Sequence, residues 1–203
     1  MIVVALKQEL PVELLRSKYF TRCEVLVTGM GLLPAYTQTY TAIKEKKPSF
    51  VLNLGTAASL SSSTPVGEIV QAVEFFAHPL MHVCHNVSNV GVRLSNIPQV
   101  LHSSGEKPQA ITYKKVKLSS GDLFVTQDNI SSVLGLYRVD IVDMEAYAIA
   151  LACKECGIPF YCVKYITDSV IATTSEEEWS SLLNKSSDIL LSVAQELIPK
   201  LES

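Results

Sequence analysis

Ile141-Val142-Asp143-Met144-Glu145-Ala146-Tyr147-Ala148-Ile149-Ala150 runs from a short apolar strand into an apolar helix, with two carboxylates at the junction. Beyond Glu145, the residues Ala146, Ile149, Ala150, Ala152 and Cys153 leave hardly any polar face. That pattern predicts a buried helix in a layered fold. A carboxylate at its first turn is then close to a core, where charge is costly. The positive end of the helix dipole favours an ionised Glu145 there, and strand-to-helix turns of α/β sheets are where such folds gather ligands. On spacing alone the commoner reading is an acidic first turn on an ordinary core helix.

The composition fits an α/β protein. The 203 residues are 48% hydrophobic and 18% charged, enough apolar material for one domain spanning 1–203. A formal charge of -3 and a pI near 5.8 leave no basic surface for nucleic acid. Lys44, Lys46, Lys47 and Lys114, Lys115, Lys117 read as solvated ends of elements. Residues 1–6 enter a strand without the basic start of a signal peptide, and no window approaches the roughly 18 uninterrupted apolar residues of a membrane span, so a soluble, cytoplasmic protein is expected. Cys23, Cys84, Cys153, Cys156 and Cys162 are odd in number and mostly inside apolar runs, as reduced core thiols are. Cys153 and Cys156 fall near a helix end, whereas a redox pair sits at a helix start.

From the amino terminus, residues 2–6 read as a buried strand, Lys7-Gln8-Glu9 follows it, and Pro11 suits the first turn of a short helix through Arg16. Glu9 thus sits just past the carboxyl end of a strand, as a candidate general base or an exposed first-turn glutamate. Residues 24–28 form the second strand, broken by Gly29-Met30-Gly31. A helix starts near Pro34 and ends at Lys44 to Lys47 before Pro48. Residues 50–54 form a third strand ending in Gly55-Thr56-Ala57-Ala58-Ser59, small residues that leave room for a ligand, with the Thr56 hydroxyl as a donor. Arginines would be expected near these turns if they held free phosphate. Arg16, Arg22, Arg93 and Arg138 lie elsewhere in the sequence.

Residues 66–70 and 72–76 read as two strands on the far side of the sheet. His78, His82, Cys84 and His85 then recur; without the helical glutamate of a zinc-protease motif they read as a loop facing a ligand or a subunit partner, and no metal site is assigned. Residues 111–118 alternate into another strand, and Gly121-Asp122 turns the chain so that Phe124 is delivered to a crevice, for stacking on a planar base, or into the core. Gly157 and Pro159 end the buried helix, residues 160–166 form the last strand, and Thr167-Asp168-Ser169 sits at its carboxyl end. Ser175-Glu176-Glu177-Glu178 is a capping box that opens a long helix to about Leu201.

Glu9, Glu145 and Asp168 each follow a predicted strand, together with two glycine turns and one aromatic turn, so a single crevice can collect them. In order, Ala5-Leu6-Lys7-Gln8-Glu9, Thr28-Gly29-Met30-Gly31, Asn53-Leu54-Gly55-Thr56-Ala57, Ser120-Gly121-Asp122-Leu123-Phe124, and Asp143-Met144-Glu145-Ala146 with Ile166-Thr167-Asp168 resemble the 5'-methylthioadenosine/S-adenosylhomocysteine nucleosidases of the purine nucleoside phosphorylase superfamily. The resemblance implies a three-layer α/β/α sandwich around a mixed, mostly parallel sheet, acting as a homodimer without metal or cofactor. It implies that Asp168 protonates the purine and that Glu9 activates water. Glu145 would bind the ribose hydroxyls over Met144, Phe124 would stack on the base, and the Val125 backbone would read its edge.

Three departures bear on substrate. Lys164 stands where the family usually carries an arginine near the attacking water, which keeps the cation and loses the bidentate geometry. The chain lacks the hairpin that the family places before Glu24. Residues 75–98 do not reproduce the family's aromatic loop over the 5' substituent. Relatives that act on futalosine or 6-amino-6-deoxyfutalosine in menaquinone synthesis therefore belong to the comparison, with Asp168 favouring the 6-amino form. The alternatives are a phosphate-dependent phosphorylase and a non-catalytic nucleoside-binding protein of the same fold.

Overall fold

β1 (Ile2–Val4) is three buried apolar residues whose side chains divide between two cores, Val3 on one face and Ile2 and Val4 on the other. This period-two division, forced by the pleat, is what gives the protein its layers. The computed structural model describes residues 1–10, 23–77, 100–103, 111–130, 138–171 and 176–203. The predicted helix at 11–16, the histidine and cysteine run at 78–85 and Ser175 lie outside them.

The remaining strands are β2 (Val25–Val27), β3 (Val51–Ser59), β4 (Ile69–Ala77), β5 (Val100–His102), β6 (Lys114–Ser120), β7 (Ile141–Asp143) and β8 (Phe160–Ser169). One face of the sheet packs on α1 (Leu32–Lys46) and α2 (Ala146–Cys156), with Ala35 and Ile43 meeting Ile149 and Cys153 over Val51 and Cys162. The opposite face packs on α3 (Glu176–Glu202), where Leu190, Ala194 and Leu197 cover Leu52, Leu54 and Val163. Helices on both faces of a mixed sheet make the expected three-layer arrangement, and five of the eight pairings are parallel.

The sheet also closes on itself. Along the path β2-β1-β3-β7-β6-β4-β5, β8 bridges β3 and β4, so β3, β7, β6, β4 and β8 form a ring. Length makes this possible: β3 pairs with β1 near its start and with β7 at its end, while β4 pairs with β8 in its first half and β5 in its second. The two strands read in sequence at 66–70 and 72–76 are accordingly one strand, with an irregularity between Ala72 and Glu74.

Three local differences from the sequence reading matter to the site. β1 ends at Val4, and Glu9 closes a single 3-10 turn (Lys7–Glu9). β8 continues through Ser169, with a bulge: Ala57 pairs with Ile166 and Ala58 with Asp168, so Thr167 is the extra residue that re-aims Asp168. Glu145 is the residue before α2, outside the first turn. α2 ends as its sequence dictates, Gly157 adopting φ 67° at the C-terminal cap. Among the described residues, no helix is long and apolar enough to cross a membrane.

Candidate active site

Because β1 runs parallel to β3, the ends of these strands put residues 5–9 beside 55–56. Glu9 uses that proximity. Its Oε2 accepts the Ala5 and Leu6 N–H groups at 2.9 and 3.0 Å, and its Oε1 accepts the Thr56 N–H at 2.9 Å and the Thr56 hydroxyl at 3.2 Å. Only 4% exposed, Glu9 is not the solvated first-turn glutamate that spacing allowed. A carboxylate has about four lone-pair directions, and these four donors fill them. Three donors are backbone; the Thr56 hydroxyl alone can rotate away.

Lys164 differs most from its sequence reading. Its Nζ lies 2.8 Å from Asp143 Oδ2, both side chains are 2% exposed, and Lys164 does not line the cleft. Burial pulls its ammonium pKa down, but Asp143 foremost, then Cys162, Glu9 and Glu145, more than offset this and hold it above the ordinary lysine range. Asp143 is itself anchored. Its Oδ1 accepts the Ser120 hydroxyl at 2.5 Å, and its two oxygens take the Ala146 N–H at 3.3 and 3.1 Å at the start of α2. The dipole contact expected of Glu145 is therefore made by Asp143. Gly55 completes the arrangement: a Cβ there would stand 3.0 Å from both Glu9 Oε1 and Lys164 Nζ. The space that the small residue leaves is taken by the protein's own charges.

Glu145 reaches across the sheet ends to accept the Gly31 N–H at 3.0 Å. Burial, then the neighbouring Asp143, pushes its carboxyl up to about 7, against the pull of Lys164 and the Gly31 N–H. The expectation that the helix dipole keeps it ionised thus gives way to a low-dielectric site that favours its proton. Asp168 is also raised, by burial, while the Thr167 hydroxyl donating at 2.8 Å opposes the shift. Phe124 is 62% exposed and so not a core residue, whereas Val125 beside it is buried.

A cleft of about 310 Å³ collects these groups at the strand ends. Glu9 and Thr56 stand in its wall with Met144 and Glu145; Phe124, Val125 and Asp168 complete it. Of the residues singled out in sequence, Lys164 alone stays beneath. Sequence reasoning missed Asp143 as the partner of Lys164, and it missed Met30 and Leu123, which also line the cleft. The Asp143–Lys164 pairing joins residues 21 apart on different strands, which no local period reveals.

Carboxylates around an apolar cleft, at the strand ends of a mixed sheet between helical layers, define an α/β protein with a small-molecule site. The chain belongs to the phosphorylase superfamily, whose family model matches residues 11–199. It is 28% identical over 184 residues to a 5'-methylthioadenosine/S-adenosylhomocysteine nucleosidase of Haemophilus influenzae, covering 82% of this chain and 78% of that one. The Neisseria meningitidis nucleosidase of the same name, solved with methylthio-immucillin-A, superposes with a TM-score of 0.79 at 22% identity, over 98% and 97% of the two chains. Helicobacter pylori futalosine hydrolase superposes equally well, with a TM-score of 0.79 at 19% identity over 98% and 96%.

Two predictions follow from the buried charges. Lys164→Met leaves Asp143 unpaired in the interior and lowers stability by about 3–5 kcal/mol in urea unfolding; adding Asp143→Asn restores part of it, because the amide oxygen still serves the helix start. For Glu145, a folded pKa above the unfolded one means that its contribution is present at low pH and lost as pH rises through about 7. The stability of the wild type minus that of Glu145→Gln should therefore fall between about pH 5 and 7 and level off above it.

Proposed function

We propose that the chain hydrolyses the N-glycosidic bond of a 5'-substituted purine nucleoside, releasing adenine. The observation that carries this reading is where the donors of the strand ends go. Four backbone N–H groups around the strand ends, those of Ala5, Leu6, Gly31 and Thr56, are bound to the chain's own carboxylates Glu9 and Glu145, and that of Leu32 at the start of α1 is bound to Asp122. A phosphate nucleophile would have to displace these carboxylates against their charge. Water needs only the Thr56 hydroxyl to turn.

Chemistry follows from the two ends of the cleft. Asp168, kept toward its protonated form by burial, gives its proton to the imidazole ring of the purine. The C1'–N9 bond then breaks with its electron pair passing to the base, and the ribosyl group gains oxocarbenium character. Glu9 and the Asp168 carboxylate left by that transfer both line the cleft, so the developing cation meets charge of opposite sign. Water enters beside Glu9 as the Thr56 hydroxyl rotates; its oxygen bonds C1' and its proton passes to the Glu9 carboxylate. Glu145 receives the ribose hydroxyls above Met144, and Phe124 covers the base. Lys164 acts from beneath, as the counter-charge that lets these carboxylates share one interior.

Asp168 also bears on the base. A carboxyl that donates through one oxygen can accept through the other, which suits a ring nitrogen beside a 6-amino group and leaves a 6-oxo group facing an acceptor. Adenine nucleosides of the methylthioadenosine, S-adenosylhomocysteine and aminodeoxyfutalosine type are therefore preferred over futalosine. Met30, Leu123 and Phe124, exposed and apolar at the cleft mouth, are the surface that a second copy of the chain would cover in the homodimer that the family resemblance implies.

Base release should proceed in phosphate-free buffer with free sugar as the other product, and added phosphate should yield no ribose 1-phosphate. Glu9→Gln and Asp168→Asn should each lower kcat by about 10²- to 10⁴-fold while the variants stay folded. Ribose 1-phosphate formation would instead establish the phosphorylase. No release from any of the four nucleosides, with or without phosphate, would leave a binding protein. A sedimentation profile at twice the chain mass is expected, and a monomer at micromolar concentration rules out the homodimer.

A further inference from the structure

The turn that leaves β6 is fastened at both ends by side chains that stay outside the cleft. Residues 121–126 bring Leu123, Phe124 and Val125 into the cleft wall, yet they belong to no helix or strand whose ladder would fix them. At the start of the turn, Asp122 Oδ1 accepts the Leu32 N–H at 2.7 Å, the first residue of α1. α1 has no acidic residue in its own first turn, so Asp122 supplies the negative charge that a helix start favours. The contact is tight: a Cβ on Gly31 would lie 2.8 Å from Asp122 Oδ1, and Gly31 adopts φ 97°. At the end of the turn, the Asn129 amide donates to the Phe124 carbonyl at 2.9 Å and accepts the Thr126 N–H at 2.8 Å. One amide thus brackets Val125 from both sides.

We propose that Asp122 and Asn129 are positioning residues for the purine, holding the 121–126 turn where Phe124 covers the base and the Val125 backbone meets its edge. This rests on the purine nucleoside reading above. The two act through different connections. Asn129 fixes the base wall locally. Asp122 ties that wall to the turn whose Gly31 N–H is bound by Glu145 at 3.0 Å, so it also sets the spacing between the base side and the ribose side of the cleft. Positioning of this kind acts on affinity for the base before it acts on the chemical step.

The test is calorimetric titration with adenine alongside steady-state base release, on wild type, Asn129→Asp, Asp122→Ala and Asp122→Asn, each checked for folding by circular dichroism. Asn129→Asp keeps the acceptor for Thr126 and loses the donor to Phe124, so adenine affinity should weaken and KM should rise by about 5- to 10-fold, the worth of one hydrogen bond. Its kcat should stay within about 3-fold of wild type. Asp122→Ala should behave similarly, and Asp122→Asn, which retains an oxygen for the Leu32 N–H, should recover most of the loss. Unchanged adenine affinity and KM in folded Asn129→Asp overturn the proposal, as does an Asp122→Asn no better than folded Asp122→Ala. If Asp122→Ala does not fold, Asn129→Asp decides alone. A wild type that hydrolyses substrate while its variants are unaffected refutes only the positioning role; a wild type that neither binds adenine nor releases base overturns the nucleoside reading and this inference together.

Discussion

The ion pair between Lys164 and Asp143 is the contact around which the site is assembled. Both side chains are 2% exposed, and the pair joins β8 to the end of β7, where α2 begins. Such a pair is expensive to bury, and it is tolerated where every remaining valence is met. Here Asp143 also takes the Ser120 hydroxyl and the first N–H groups of α2, and Lys164 lies against Gly55 in the field of Glu9 and Glu145. Remove the lysine, and three carboxylates near one another have no common counter-charge.

That arrangement gives the acidic groups different surroundings. Glu9 is held by four donors on the wall formed by the β1 and β3 ends. Glu145 and Asp168 are pushed toward their protonated forms by burial, with Asp143 adding to the push on Glu145. The donors that hold these carboxylates are thereby withheld from any other anion.

Much of this was legible in the chain. The apolar run after Glu145 announced a buried helix, and residues 2–6 and 50–54 read as buried strands, as in a sheet covered on both faces. Glu9, Glu145, Asp168 and Phe124 could be placed near strand ends because a strand, a glycine or small-residue turn and a helix leave local signals. The turns also located Thr56 and Val125. Lys164 was read as a cation near the attacking water, and the structure sets it beneath the cleft against Asp143. A lysine within Phe160-Tyr161-Cys162-Val163-Lys164-Tyr165-Ile166 gives no sign of which way it points until its partner is known, and the partner lies on another strand. Gly55 was read as room for a ligand for the same reason.

Sequence alone determined the layered α/β class, most of its strands and helices and the acidic residues that follow the strands, because burial period, turn chemistry and capping act over a few neighbouring residues. Tertiary structure alone decided the closed ring of β3, β7, β6, β4 and β8, the bulge at Thr167 that re-aims Asp168, and the fate of each charge. Those depend on which strand ends become neighbours: Glu9 finds Thr56 47 residues away, and Glu145 finds Gly31 at a separation of 114. Electrostatic energy and hydrogen bonding depend on distance in space, and only the folded chain sets that distance.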